Sequence, residues 1–144
     1  EIINFEPESS GTNIDVALQF MTNAIKKRCS AFLISDFIDD HDYFKSMSIA
    51  NRKHDLASIQ VYDRRDAEMP DVGLVRVRDL ERGTDRWLDT SSSSARKAYA
   101  KAWYERQQRL ASVTARSGVD LASVTTDEDF VKALLGLFRR RGSR

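Results

Sequence analysis

The sequence contains few residues that cross-link a chain or interrupt its helices and strands: one cysteine, two prolines and six glycines among 144 residues. The single Cys29 excludes an internal disulfide and a cysteine-based zinc cage, and it favours a reducing compartment. No apolar run approaches the ~18 residues of a membrane span. The acidic N-terminal residues do not resemble a signal peptide. We therefore expect a cytoplasmic protein without a membrane span.

Neither sign of charge dominates, because 23 lysines and arginines face 22 aspartates and glutamates, for a net charge of +1. Such a balance predicts no field that would attract nucleic acid or membrane over the whole surface. We expect no nucleic-acid partner. A composition of 41% hydrophobic and 31% charged residues is typical of a globular protein. The length suits one domain over residues 1–144.

Helical and strand-like periodicities alternate along the chain, which predicts an α/β fold. A strand, a helix and a strand in succession predict a right-handed parallel crossover, so the strands should share one orientation in a mostly parallel sheet with flanking helices. The predicted elements are helices over 14–28, 41–53 and 95–116, a last helix capped by Thr126, parallel strands from 32 and over 56–62 and 119–125, and an inserted hairpin over 72–79 and 85–89.

The stretch from Phe32 to Asp40 is an apolar run that ends in carboxylates. An apolar run of this kind is typical of a strand buried on both faces, and we predict that it is the central strand of the sheet. Ligands of open α/β sheets gather just beyond the carboxyl ends of the strands. This places Asp36 at the predicted ligand crevice.

Thr12 stands at the start of the first predicted helix, and a helix start and a strand end can converge on one crevice in such a sheet. The Thr12 hydroxyl and the Asp36 carboxylate are hard oxygen donors, which suit Mg²⁺ or Mn²⁺. Two alternatives stay open: Thr12 as an N-cap, with Asp15 completing a capping-box variant, and Asp36 as an ordinary strand-end carboxylate. Three further carboxylates add a negative field or stabilise the next helix N-terminus: Asp39, Asp40 and Asp42.

Eight stretches resemble the bacterial domain-of-unknown-function 58 family. They are Asn4 to Ile14, Phe32 to Phe37, Arg52 to Asp55, Val61 to Asp63, Pro70 to Leu74, Arg86 to Thr90, Ser117 to Asp120 and Thr125 to Asp129. That family is similar to von Willebrand factor A domains, which implies a Rossmann-like sheet with a metal-ion-dependent adhesion site on its upper edge. Its members are commonly encoded beside MoxR-type AAA+ ATPases, which implies an assembly or chaperone role through protein contacts.

The resemblance implies that Thr12 and Asp36 are metal ligands. The Asp-x-Ser-x-Ser loop that supplies the family's other ligands does not occur in this sequence, so the chain resembles the second half of the domain. We therefore expect Mg²⁺ or Mn²⁺ in the full-length protein and no metal on this chain alone. A half-domain would leave the Phe32 strand without a neighbour, and an open sheet edge invites strand addition or a homodimer.

Two function classes are compatible with these residues. We expect a non-enzymatic protein interaction module that works with a MoxR-type ATPase. The alternative is a metal-dependent hydrolase or phosphoryl-transfer enzyme that uses Asp36, Asp39 and Asp40. The sequence has no phosphate-cradling glycine loop, nucleophile elbow or paired catalytic histidine to support the enzyme. A purely structural fragment of a larger protein is a third possibility.

Overall fold

The computed structural model describes residues 11–78 and 83–142, which form five helices and five strands. In chain order these are α1 (Ile14–Ala24), β1 (Ser30–Ser35), α2 (Phe44–Lys53), β2 (Asp55–Tyr62), α3 (Arg64–Ala67), β3 (Leu74–Arg78), β4 (Asp85–Asp89), α4 (Ser93–Ser117), β5 (Asp120–Thr125) and α5 (Phe130–Gly142). The predicted alternation of helices and strands is confirmed.

Three strands form a parallel sheet in the order β1-β2-β5, so β2 is the central strand. Strands β3 and β4 form a separate antiparallel hairpin, as the sequence predicts. The hairpin loop falls largely on residues 79–82, which lie outside the described part of the chain. The result is a mixed α/β fold with a mostly parallel sheet and flanking helices.

Each face of the parallel sheet carries its own hydrophobic cluster. On one face, α1, α2 and α4 cover the sheet, with Met47 and Ala50 of α2 fully buried against Leu56 of β2. On the other face, Leu137 of α5 is fully buried against Ala57 of β2 and its neighbours. Successive strand residues point to opposite faces, so the continuous buried run of β2 from 56 to 60 feeds both clusters.

Strand β1 does not have the predicted place in the sheet. It lies at the edge, and its residues alternate between half-buried and exposed, so the prediction of a central strand buried on both faces is wrong. Ala31 and Leu33 pack on the first cluster, whereas Phe32 and Ile34 are 46% and 64% exposed. Phe32 meets only the edge of the Phe138 ring among aromatic partners in the described residues, at 6.0 Å between ring centroids. The expected open edge beside β1 is therefore present among the described residues.

Two helices are shorter than the sequence predicts. Helix α1 ends at Ala24 rather than near Arg28, because Ile25 is already extended. The Lys26 ammonium donates to the carbonyl of Asn23 at 2.6 Å. Lys26 thus lies beyond the helix but still satisfies a carbonyl of its last turn. Helix α2 begins at Phe44 rather than 41, since the aspartates before it are engaged in turns.

For α4 the sequence predicts Ser92 or Ser93 as the N-cap and Gly118 as the end of the helix, and the structure confirms Ser92 and Gly118. Ser92 is the N-cap, with its hydroxyl accepting from the Ala95 N–H at 3.3 Å, and Gly118 ends the helix in the left-handed conformation at φ 68°. Helix α5, in contrast, is not capped by Thr126. Thr126 donates its N–H to the carbonyl of Tyr62, and Asp129, next to the helix start, accepts from the Val131 N–H at 2.9 Å.

Within the residues that the structure describes, no helix combines the length and the apolar character that crossing a bilayer requires.

Candidate functional site

The chain turns sharply where β1 ends. Phe37 has φ 58°, which makes it the one non-glycine residue of the described ranges in the left-handed region. A bulky side chain there costs of order 1–3 kcal/mol, and such strain persists only where surrounding contacts impose it. Here the Phe37 ring is buried in the first cluster, and its N–H donates to the Ser35 hydroxyl at 3.0 Å. The buried ring and this hydrogen bond hold the turn.

Asp36 is exposed at this turn, as predicted for a strand-end carboxylate. Its Oδ1 accepts from the Ile38 N–H at 3.0 Å, which leaves Oδ2 and the second lone pair of Oδ1 without a hydrogen bond among the described residues. The Asp36 carbonyl lies 3.5 Å from the Gln60 side-chain nitrogen, so the central strand β2 also supports the turn. The carboxylate is therefore fixed in direction and accessible.

Asp39 joins the turn to the start of α1. Its side chain is fully buried, and Oδ2 accepts from the Ile14 N–H at 2.7 Å. Oδ1 accepts from the N–H of His41 at 2.8 Å and from its Nδ1 at 2.6 Å. Burial alone would raise the pKa of Asp39, but the hydrogen bonds from Ile14 and His41 outweigh it and hold the pKa below 3.8. Asp39 is thus an ionised internal clamp across 25 residues of sequence.

The start of α1 shows that Thr12 is not the N-cap, which was one of the two alternatives for this residue. Asn13 is the N-cap, because its side chain accepts from the Val16 N–H at 3.0 Å, so Thr12 precedes the cap. Asp15 does not complete a capping box. It accepts from the Ser46 hydroxyl of α2 and from the Gln19 amide at 2.7 Å, and the Ser46 contact ties α1 to α2.

The structure brings the two predicted ligand segments together but not all of the predicted carboxylates. Thr12 lies just before α1 and Asp36 just after β1, and the Asp39 clamp joins these two segments. Asp40 is exposed on the same loop. Asp42 accepts from the Phe44 N–H at 3.1 Å, which is the helix-stabilising role that the sequence offered as an alternative.

The donor types of Thr12 and Asp36 fit Mg²⁺ or Mn²⁺, whereas their number does not complete a site. Magnesium takes about six oxygen ligands, several of them often water. The described part of the chain holds no group of three His, Cys, Asp or Glu side chains placed to bind one ion.

Sequence reasoning missed the neighbours of Asp36 on β2 and α4. Gln60, Trp103 and Arg106 line the same narrow cleft as Asp36, and Arg106 lies 6.0 Å from the centre of the Trp103 ring. The Nε of Arg106 is buried and has no hydrogen-bond partner among the described residues. The three-residue spacing of Trp103 and Arg106 on one helix face is the signal that could have indicated them.

Another buried polar group, the side chain of His54, was not predicted from the sequence. His41 is exposed, but His54 is fully buried at the start of β2. Its Nδ1 lies 3.4 Å from the sulfur of Cys29, and its Nε2 has no partner among the described residues. This pair lies at the amino ends of β1 and β2, away from Asp36.

Fold and site define an open α/β protein with oxygen donors grouped where β1 ends and α1 begins. The chain belongs to the family described as "Protein of unknown function DUF58", whose model matches residues 1–109. The family resemblance that the sequence motifs indicate is thereby confirmed.

Relatives in mycobacteria match most of the chain. An uncharacterized protein of Mycobacterium avium is 27% identical over 133 residues, which covers 91% of this chain and 78% of that protein. An uncharacterized protein of Mycobacterium tuberculosis is 29% identical over 133 residues, covering 91% of this chain and 42% of that protein. The chain thus spans less than half of the M. tuberculosis relative. No solved structure gives a significant match.

Proposed function

We propose that this chain is part of a von Willebrand factor A-like, Rossmann-like interaction module. In this proposal Thr12 and Asp36 contribute oxygen ligands to a Mg²⁺ or Mn²⁺ ion, and the remaining protein ligands come from outside the described residues. The bound ion accepts a carboxylate from a protein partner. The module is not an enzyme, and its partner is a MoxR-type AAA+ ATPase engaged in protein assembly.

The observation that carries the proposal is the Asp39 clamp. Its carboxylate holds the Asp36 turn against the first N–H of α1, two residues after Thr12. Metal sites need ligands held in fixed directions, and such support comes from the groups that bond to the ligand-bearing segments. A buried carboxylate that fastens the two segments to each other provides that support.

The same clamp argues against the hydrolase alternative that uses Asp36, Asp39 and Asp40. A general acid or base at neutral pH needs a pKa near 7 and an oxygen that reaches the substrate. Asp39 has a pKa below 3.8, and its buried carboxylate already accepts three hydrogen bonds. Of the three carboxylates, Asp36 and Asp40 are exposed to solvent, and neither shares a hydrogen bond with a His or Lys of the described chain.

The test compares Asp36→Asn with Asp40→Asn in the complete protein. Both variants remove one negative charge from the same loop, but only Asp36 is a proposed ligand. We expect Asp36→Asn to weaken Mn²⁺ binding in calorimetry about tenfold or more, since even supporting residues of metal sites have effects of that size. Capture of the ATPase should need Mg²⁺ and be lost in the same variant. The Asp40→Asn protein should behave as the parent.

Two outcomes would contradict the proposal. If Asp36→Asn binds Mn²⁺ and the ATPase as well as the parent does, Asp36 is not a ligand. If the complete protein hydrolyses a panel of phosphoesters with Mg²⁺, and Asp36→Asn abolishes this turnover, the enzyme alternative is correct.

A further inference from the structure

A basic cleft of about 400 Å³ lies between α2 and the C-terminal end of α4. We call it the α2–α4 cleft. It is open to solvent on one side, and none of its residues belongs to the Thr12 and Asp36 site. It is lined by Phe44, Lys45, Ser48, Arg52, Arg116 and Ser117.

The walls of the α2–α4 cleft are fastened to each other. Ser48 of α2 lies 3.1 Å from the Ser117 hydroxyl of α4, oxygen to oxygen. One helical turn further, the Asn51 amide donates to the carbonyls of Ser117 and Gly118, both at 3.0 Å. These hydrogen bonds fix the distance between the two helices, so the cleft is a preformed feature of the fold.

Two of the cationic groups of the cleft are also held in place. The Arg116 guanidinium stacks on the Phe44 ring with its carbon 4.2 Å from the ring centre, a cation–π contact. Arg52 donates from Nε to the Ser48 carbonyl at 3.3 Å, one turn earlier on the same face of α2. A cation already fixed in position loses less entropy when it binds an anion.

The positive charge of the cleft is uncompensated. No acidic residue lines it, and none of Lys45, Arg52 and Arg116 forms an ion pair with a carboxylate of the described residues. Arg141, in contrast, pairs with both Asp55 and Asp120. The chain as a whole carries only +1, so three unpaired cations in one cleft form a local positive field.

The spacing of the cations selects the kind of anion. Lys45 and Arg52 are separated by seven residues of one helix, which is about 10 Å along its axis at 1.5 Å per residue. An elongated anion with several carboxylates can pair with each of these cations separately, and with Arg116 on the opposite wall. Along an extended peptide, side chains two residues apart point to the same face roughly 6.6 Å apart, a separation that the long Lys and Arg side chains can match from positions two helical turns apart.

We propose that the α2–α4 cleft binds an acidic peptide segment of a protein partner, with its carboxylates on Lys45, Arg52 and Arg116. This contact needs no metal ion, so it is independent of the proposed Thr12 and Asp36 site. Basic clusters that meet acidic segments in this way speed association and select partners by charge.

The test is a binding titration of a fluorescein-labelled ten-residue polyglutamate peptide to the full chain, followed by fluorescence anisotropy at low salt with EDTA present. We expect Arg52→Gln and Arg116→Gln each to weaken binding roughly two- to fivefold, which is the range for exposed ion pairs. The matched control is Arg139→Gln on α5, across the sheet from the cleft, with the same charge change and no expected effect.

A second variant separates geometry from charge. Arg116→Lys keeps the charge but removes the planar group that stacks on Phe44, so it should lose part of the affinity. The proposal is overturned if Arg139→Gln weakens binding as much as Arg116→Gln does. It is also overturned if a single-stranded DNA of equal charge binds more tightly than the peptide, or if inorganic phosphate displaces the peptide at equal concentration of charge.

Discussion

The Asp39 clamp can be tested by the substitution Asp39→Asn. Asparagine has nearly the same shape, but one of its two terminal groups is an NH₂, which cannot accept a hydrogen bond. Either the Ile14 N–H or the two donors of His41 must then lose their acceptor. The substitution also removes a negative charge from the N-terminus of α1, where the helix dipole favours it.

The expected loss of stability is about 2–4 kcal/mol. Loss of a hydrogen bond to a charged acceptor costs about 1.5–3 kcal/mol, and the lost interaction with the helix N-terminus adds about 0.3–1 kcal/mol. For a chain of 144 residues this corresponds to a fall in Tm of roughly 6–15 °C.

Urea unfolding followed by circular dichroism measures this difference, with Asp40→Asn as the control. Asp40 is exposed on the same loop, so its variant should stay within about 0.5 kcal/mol of the parent. Equal unfolding free energies for Asp39→Asn and Asp40→Asn would refute the clamp.

The pH dependence of the same pair of proteins gives an independent check. The folded pKa of Asp39 is held below its ordinary value of 3.8 by the hydrogen bonds from Ile14 and His41, which outweigh the opposing effect of burial. Its carboxylate therefore contributes stability that is fully present above pH 3.8 and is lost as the pH falls through the folded pKa. The gap between parent and Asp39→Asn should be constant near neutral pH and shrink only below about pH 3.8.

Two further predictions concern the packing of α5 and the open edge of β1. Leu137→Ala should lower the free energy of unfolding in urea by about 2–5 kcal/mol, because Leu137 is fully buried in the second cluster. Leu135 is exposed, so Leu135→Ala should lower it by under about 1 kcal/mol. Similar losses for the two variants would contradict the packing of α5 on the sheet. The open edge of β1 predicts a homodimer, which sedimentation velocity can detect. Ile34→Lys should weaken this dimer, whereas Leu74→Lys, on the exposed hairpin, should not. A monomer at high concentration would exclude the dimer.

Local chemistry is what the sequence predicts best. Ser92 and Gly118 mark the ends of α4. The Ser92 hydroxyl accepts from an N–H of the first turn, and Gly118, which has no Cβ, ends the helix, so each effect involves only residues that are close in the sequence. Helix α3 was not predicted from the sequence, although a local signal for it is present. Asp63 and Asp66 form a reciprocal capping box around it, three residues apart in the sequence.

The place of β1 could not be predicted in the same way. Its apolar run is consistent with burial on both faces, but burial depends on which strands and helices lie beside it. Among the described residues, β1 has a strand neighbour on one side only, and α5 covers the other face of the sheet chiefly over β2 and β5. The same residues that would fill the centre of a larger sheet are therefore half exposed here.

The candidate site likewise combines features that nearby residues encode with features that depend on distant contacts. The sequence by itself determined that a carboxylate follows β1 and a hydroxyl precedes α1, because strand ends and helix starts are encoded by nearby residues. Only the tertiary structure decided that Asp39 is the clamp, that Asp36 stays accessible and that Arg116 lies against Phe44. Those roles depend on contacts between residues that are 25 to 72 positions apart in the chain, and packing, rather than local propensity, sets which distant groups meet.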